Sequence, residues 1–132
     1  MVMNDALIKK SDENWEVMEL LSSSRSKKHL NAAANRMYYS VLHLIFHEML
    51  VHKEITLNGT TGKHIWVVKH LKEKYGSKEG RELEILKSLR EKADYSIVPV
   101  SDLDFQNVYR KWKEKRKIFY NNVKTDKARV IL

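Results

Sequence analysis

The chain has 132 residues, 42% of them hydrophobic and 32% charged, with a formal net charge of +8 and no cysteine. That length suits one domain able to bury a core unaided, and the charge balance is that of a globular rather than a disordered chain. The missing thiols exclude disulfides, thiolate zinc sites and a cysteine nucleophile. The lack of a long apolar run or signal-peptide pattern makes a soluble cytoplasmic protein, with no membrane partner, the expectation. The positive balance favours a polyanion such as RNA as partner, although a solvated basic face gives the same sum.

One proline and four glycines in the whole chain imply helices joined by short connectors. A first helix is expected from about Asn4 to Leu21, with Leu7, Trp15, Met18 and Leu21 at helical spacing and Ser11-Asp12 as a possible interruption. The serine-rich stretch Ser22 to Ser26 ends it. A second, long helix is expected from about Lys27 to Lys53, followed by a loop at Asn58 to Gly62. A third covers about Lys63 to Tyr75 and stops at Gly76, and a fourth covers about Lys78 to Tyr95 and must end before Pro99. Ser101 with Asp102 and Asp104 reads as an N-cap and acidic first turn for a fifth helix, running to about Val123 on Phe105, Val108, Trp112, Phe119 and Val123. The expected fold is all-α, a single domain over residues 1–132 built as an up-and-down bundle of four or five helices.

The second helix is apolar around most of its circumference, with Ala33, Met37, Val41, Leu44 and Val51 on one side and Tyr38, Leu42, Ile45 and Met49 on another. Such a helix sits centrally in its bundle. At about 100° per residue, Arg36, Ser40, His43 and His47 fall within an arc of roughly 60°, with Tyr39 at its edge. That strip reads either as a groove suited to phosphate or proton transfer, or as the solvent face of an amphipathic helix. Arg36 is read as part of a site or polar cluster, since its neighbours Ala32, Ala33 and Tyr39 leave a guanidinium needing a partner. His43 and His47 are read as surface residues, and their spacing offers no third ligand for a metal.

His64 is in phase with Val68, Leu71 and Tyr75 and points inward, either as a core histidine or as part of a site; His70 is read as surface. On the fourth helix Leu86, Leu89, Ala93 and Ile97 form the buried stripe. Arg90 and Asp94, at i and i+4 on its margin, can pair with each other, and Asp94 can also reach Arg36 on the second helix. The run Arg110 to Lys117 carries six cations in eight residues around Trp112, read as a solvated face around a buried ring, with an RNA-phosphate contact as the competing reading.

Taken in order, Ala32-Ala33-Ala34-Asn35-Arg36-Met37-Tyr38-Tyr39-Ser40, then Lys63-His64, then Leu89-Arg90-Glu91-Lys92-Ala93-Asp94-Tyr95 resembles the small stand-alone branch of the HEPN ("higher eukaryotes and prokaryotes nucleotide-binding") superfamily. The likeness covers roughly residues 28 to 122. It implies a helical bundle that forms homodimers. Relatives act as ribonuclease toxins of toxin–antitoxin or RNA-targeting systems, or as partners of a minimal nucleotidyltransferase. It also implies that RNA or nucleotide is held by Arg36, Tyr39, Asp94 and Lys63, with no metal or cofactor. In ribonuclease members an arginine is followed four to six residues later by a histidine. Arg90 matches that arginine, but the position five further on is Tyr95, and no histidine follows it. A metal-independent ribonuclease would then need Arg90 with His64 or Tyr95 as the base, His64 being better matched to neutral pH. The alternative is a non-catalytic module that docks a nucleotidyltransferase-like partner.

Overall fold

Apolar residues at helical spacing, scarcely interrupted by glycine or proline, fold into five helices: α1 Val2–Ser22, α2 Leu30–Val51, α3 Lys63–Tyr75, α4 Ser77–Tyr95 and α5 Asp102–Ile131. The computed structural model describes residues 2–23, 29–51, 63–96 and 99–131, and the side chains of 6–23, 29–49, 64–96 and 99–121. Among the described residues there is no strand, and no helix is long and apolar enough to cross a membrane. The expected ends of the second helix at Lys27 and Lys53, the loop at 58–62 and the Ile97 side chain lie outside the described residues.

α2 is the axis of the bundle and packs against all four other helices. Ala33, Ala34, Met37, Val41, Leu44, Ile45 and Met49 are each buried, joined by Met18, Leu71, Leu83, Leu86, Phe105 and Trp112 from its neighbours. α1 lies along one side of α2, and there two small residues meet. The Ser11 hydroxyl donates to the Ser40 carbonyl and the Ser40 hydroxyl donates to the Ser11 carbonyl, each at 2.7 Å. Ser11 therefore does not interrupt α1. It is fully buried in a continuous helix, where its small volume lets the two backbones approach.

The helices do not simply alternate in direction. Tyr38 pairs with His64 and Glu48 with Tyr75, so α3 runs beside α2 in the same sense. The eleven residues 52–62 can span roughly 36 Å, more than the ~20 Å of helix between Tyr38 and Val51. α3 then turns back into α4 at Gly76. Its φ of +109° suits glycine, and its N–H donates to the carbonyls of Leu71 and Lys72. Ser101 caps α5 as its sequence implies, its hydroxyl accepting from the Asp104 N–H at 3.1 Å. α5 runs past Val123 to Ile131, because residues 124–129 hold neither glycine nor proline to stop it.

Trp112 is fully buried at the centre of α5, whereas Ile118 on the same helix is 57% exposed. Trp112→Ala is expected to cost about 3–5 kcal/mol of stability in urea unfolding. Ile118→Ala should stay within about 0.5 kcal/mol of the parent.

Candidate functional site

The polar residues cluster where α4 crosses α2. Arg90 lays its guanidinium over the Tyr38 ring, 4.8 Å from the centroid, and 5.7 Å from that of Tyr39. The two tyrosines, adjacent in sequence, meet edge-on at 5.2 Å. Cation–ring contacts of this kind contribute about 0.5–2 kcal/mol, more as water is excluded. The remaining bonds of Arg90 are long: Nη1 donates to the Tyr39 hydroxyl at 3.5 Å and to Asp94 at 3.4 Å. Its Nε is buried without an acceptor among the described residues.

Asp94 accordingly pairs with Arg90 one turn earlier, as expected. Its expected bond to Arg36 does not form. Asn35 donates to both Asp94 oxygens at 3.4 Å, and Arg36 instead donates to the Asn14 side-chain carbonyl at 3.1 Å. One residue along α2 is a rotation of about 100°, enough to carry Arg36 off the α4 side and onto the α1 side, where it is exposed.

Beneath Arg90 runs a second chain of contacts. The Tyr38 hydroxyl lies 2.9 Å from His64 Nδ1, and His64 Nε2 lies 3.1 Å from a Glu84 oxygen. Burial pushes the Tyr38 phenol up to about 12, against the nearby charge of Arg90. Burial also holds the His64 imidazole below its ordinary value, against the hydrogen bond to Glu84. The neutral tautomer consistent with both contacts donates from Nε2 to Glu84 and accepts at Nδ1 from Tyr38. Its lone pair is then engaged by the Tyr38 hydroxyl. The inward reading of His64 holds, whereas Tyr95, at the end of α4, is 80% exposed. Lys63 opens α3, and its side chain lies outside the described residues.

On the far side of Tyr39, α1 and α2 bound an open cleft of about 480 Å³. From α1 it is lined by Lys10, Glu13, Asn14 and Val17, which share one helical face; from α2 come Asn35, Arg36, Tyr39 and His43. The strip of α2 read from the sequence is thus split. Arg36, Tyr39 and His43 reach the cleft, whereas Ser40 and His47 are fully buried, so His47 is not a surface residue.

A further polar centre had no counterpart in the sequence reading. Glu48 is fully buried on α2, and accepts from the Tyr75 hydroxyl at 2.8 Å and from the Lys74 ammonium, with His70 Nε2 at 3.2 Å. His70, expected on the surface, is therefore buried against a carboxylate. Burial would raise the Glu48 pKa, but the hydrogen bonds from His70, Lys74 and Tyr75 and the Lys74 charge together hold it below the ordinary value. The overlooked signal is that Arg36 and Glu48 are the only residues among Asp, Glu, Lys and Arg in α2.

Three of the six cations in the basic run of α5 are tied to other helices. Lys115 reaches Glu79 at 2.6 Å and Lys111 reaches Glu82 at 3.5 Å, while Arg116 pairs with Asp12 and lies over Trp15. Among the described residues no group of three or more His, Cys, Asp or Glu could hold a metal ion. No known family model, curated protein or solved structure matches this chain.

Because the Glu48 pKa is lower folded than unfolded, its contribution to stability is present above the ordinary value of 4.5 and is lost as pH falls through the folded value. Glu48→Ala is expected to cost about 3–5 kcal/mol at pH 7, by stranding the groups around it. In urea unfolding across pH 7 to 3, the gap between parent and variant should narrow below pH 4.5.

Proposed function

We propose that the protein is a HEPN-type, RNA-interacting helical domain of the toxin–antitoxin or RNA-targeting kind, and that it holds RNA without cleaving it efficiently. The observation that carries this reading is the state of Arg90. Aromatic contacts hold its Cζ 4.8 and 5.7 Å from the two ring centroids, while its Nη1 bonds are long, at 3.4 and 3.5 Å. A guanidinium positioned by ring contacts, with no short ion pair of its own, is suited to a phosphodiester, whose oxygens its planar edge matches. Arg36 supplies a second cation on the cleft that Tyr39 also lines, and the net charge of +8 favours a polyanion.

Two observations favour binding over cleavage. The His64 lone pair is taken by the Tyr38 hydroxyl, which keeps that imidazole from acting as a base beside Arg90. Tyr95 is solvent-exposed at the end of α4, outside the packed contacts that hold Arg90 against Tyr38 and Tyr39.

The test is fluorescence anisotropy of a labelled single-stranded RNA at two salt concentrations, in EDTA, with cleavage followed on gels. Wild type should bind in a salt-sensitive way and leave the RNA intact. Arg90→Ala should bind at least tenfold more weakly, with a loss of stability of only about 1 kcal/mol from the missing ring contacts. An Arg90→Ala variant that binds RNA as wild type does would make the cluster structural. EDTA-resistant cleavage by wild type would overturn the non-cleaving assignment.

A further inference from the structure

The α1–α2 cleft carries chemistry that the Arg90 cluster does not. Its volume of about 480 Å³ falls within the roughly 300–1,000 Å³ of small-molecule sites, and it lies open on one side. Two permanent cations line it, Lys10 and Arg36, against one carboxylate, Glu13. Arg36 uses Nη1 on the Asn14 carbonyl at 3.1 Å, and the residue as a whole is exposed. That balance suits one phosphate group better than a triphosphate, which would need more positive charge or a metal.

The other lining groups fit the rest of a nucleotide. Tyr39 and His43, one turn apart on α2, place their rings 6.1 Å apart and tilted by 31°, an aromatic surface for a base. Asn14 accepts from Arg36 through its carbonyl, so its amide N–H₂ points to a donor role. Asn35 donates its N–H₂ to Asp94, so its carbonyl is left as an acceptor. One amide donor and one amide acceptor can read the edge of a base. Glu13, repulsive to phosphate, can accept from a ribose hydroxyl, a role that carboxylates serve in nucleotide sites.

We propose that this cleft is a pocket for a single ribonucleotide unit, with phosphate on Arg36 and Lys10, ribose on Glu13 and base against Tyr39. The inference deepens the RNA-binding reading and rests on it, since it makes the cleft the place where one nucleotide of a bound strand is seated next to Arg90.

Calorimetry of the full chain with AMP, dAMP and inorganic phosphate tests it, with RNA binding measured in parallel. AMP should bind at least tenfold more tightly than inorganic phosphate. Arg36→Ala, at an exposed position that leaves the core intact, should weaken AMP at least tenfold. Glu13→Gln should erase the preference for AMP over dAMP. AMP no tighter than inorganic phosphate, or AMP binding unchanged in Arg36→Ala, overturns the pocket; if RNA still binds, the reading of Arg90 survives that result. AMP binding that depends on Arg36 in a protein that binds no RNA upholds the pocket and removes the RNA reading instead.

Discussion

The structure depends on the enclosure of α2. A helix packed by four others keeps only a narrow strip, at Ala32 and Arg36, open to water, so most polar groups it carries find their partners inside the protein. Ser40 is answered by Ser11, Tyr38 by His64, Asn35 by Asp94 and Glu48 by His70, Lys74 and Tyr75. These contacts reach from α2 to α1, α3 and α4 in turn. They fix how the neighbouring helices sit along it as well as that they pack. The relay from Tyr38 through His64 to Glu84 reaches both α3 and α4, and so holds steady the ring on which Arg90 rests.

That arrangement connects architecture with the proposed activity. Tyr38 faces inward and is locked, whereas Tyr39, rotated by about 100°, stands between the Arg90 cluster and the α1–α2 cleft. A buried tyrosine carries the arginine and a half-buried one carries the contact surface. In the basic run of α5, in contrast, three of the six cations are struts to Asp12, Glu79 and Glu82, so the net charge of the chain overstates how much of it can meet a polyanion.

Much of this was legible in the sequence. The long apolar spacing on each helix, Gly76 and the Ser101 cap marked the elements, because each signal acts locally. The Arg90–Asp94 pair and the inward turn of His64 were readable for the same reason. What failed depended on neighbours. Treating the whole strip of α2 as wet placed His47 on the surface, but the strip is open only near Arg36, while Ser40, bonded to Ser11, and His47 are buried. His70 looked exposed in the phase of α3 alone, since nothing local announces that Glu48 waits opposite. The bond assigned to Arg36 belongs to Asn35, an error of one residue that no periodicity argument resolves when both stand at the edge of a stripe. The parallel course of α2 and α3 depends on a connection whose path periodicity does not encode.

The central claim is that Arg90, held against the rings of two tyrosines, meets the phosphate of a bound RNA. Side-chain ¹⁵N NMR of the arginine guanidinium groups, followed as a short single-stranded RNA is added, reads this directly. The account predicts that the Arg90 and Arg36 signals shift together and saturate at one affinity, while Arg116, held by Asp12 and Trp15, does not move. Unmoved Arg90 and Arg36 signals, with shifts confined to exposed α5 cations such as Arg110, would contradict it.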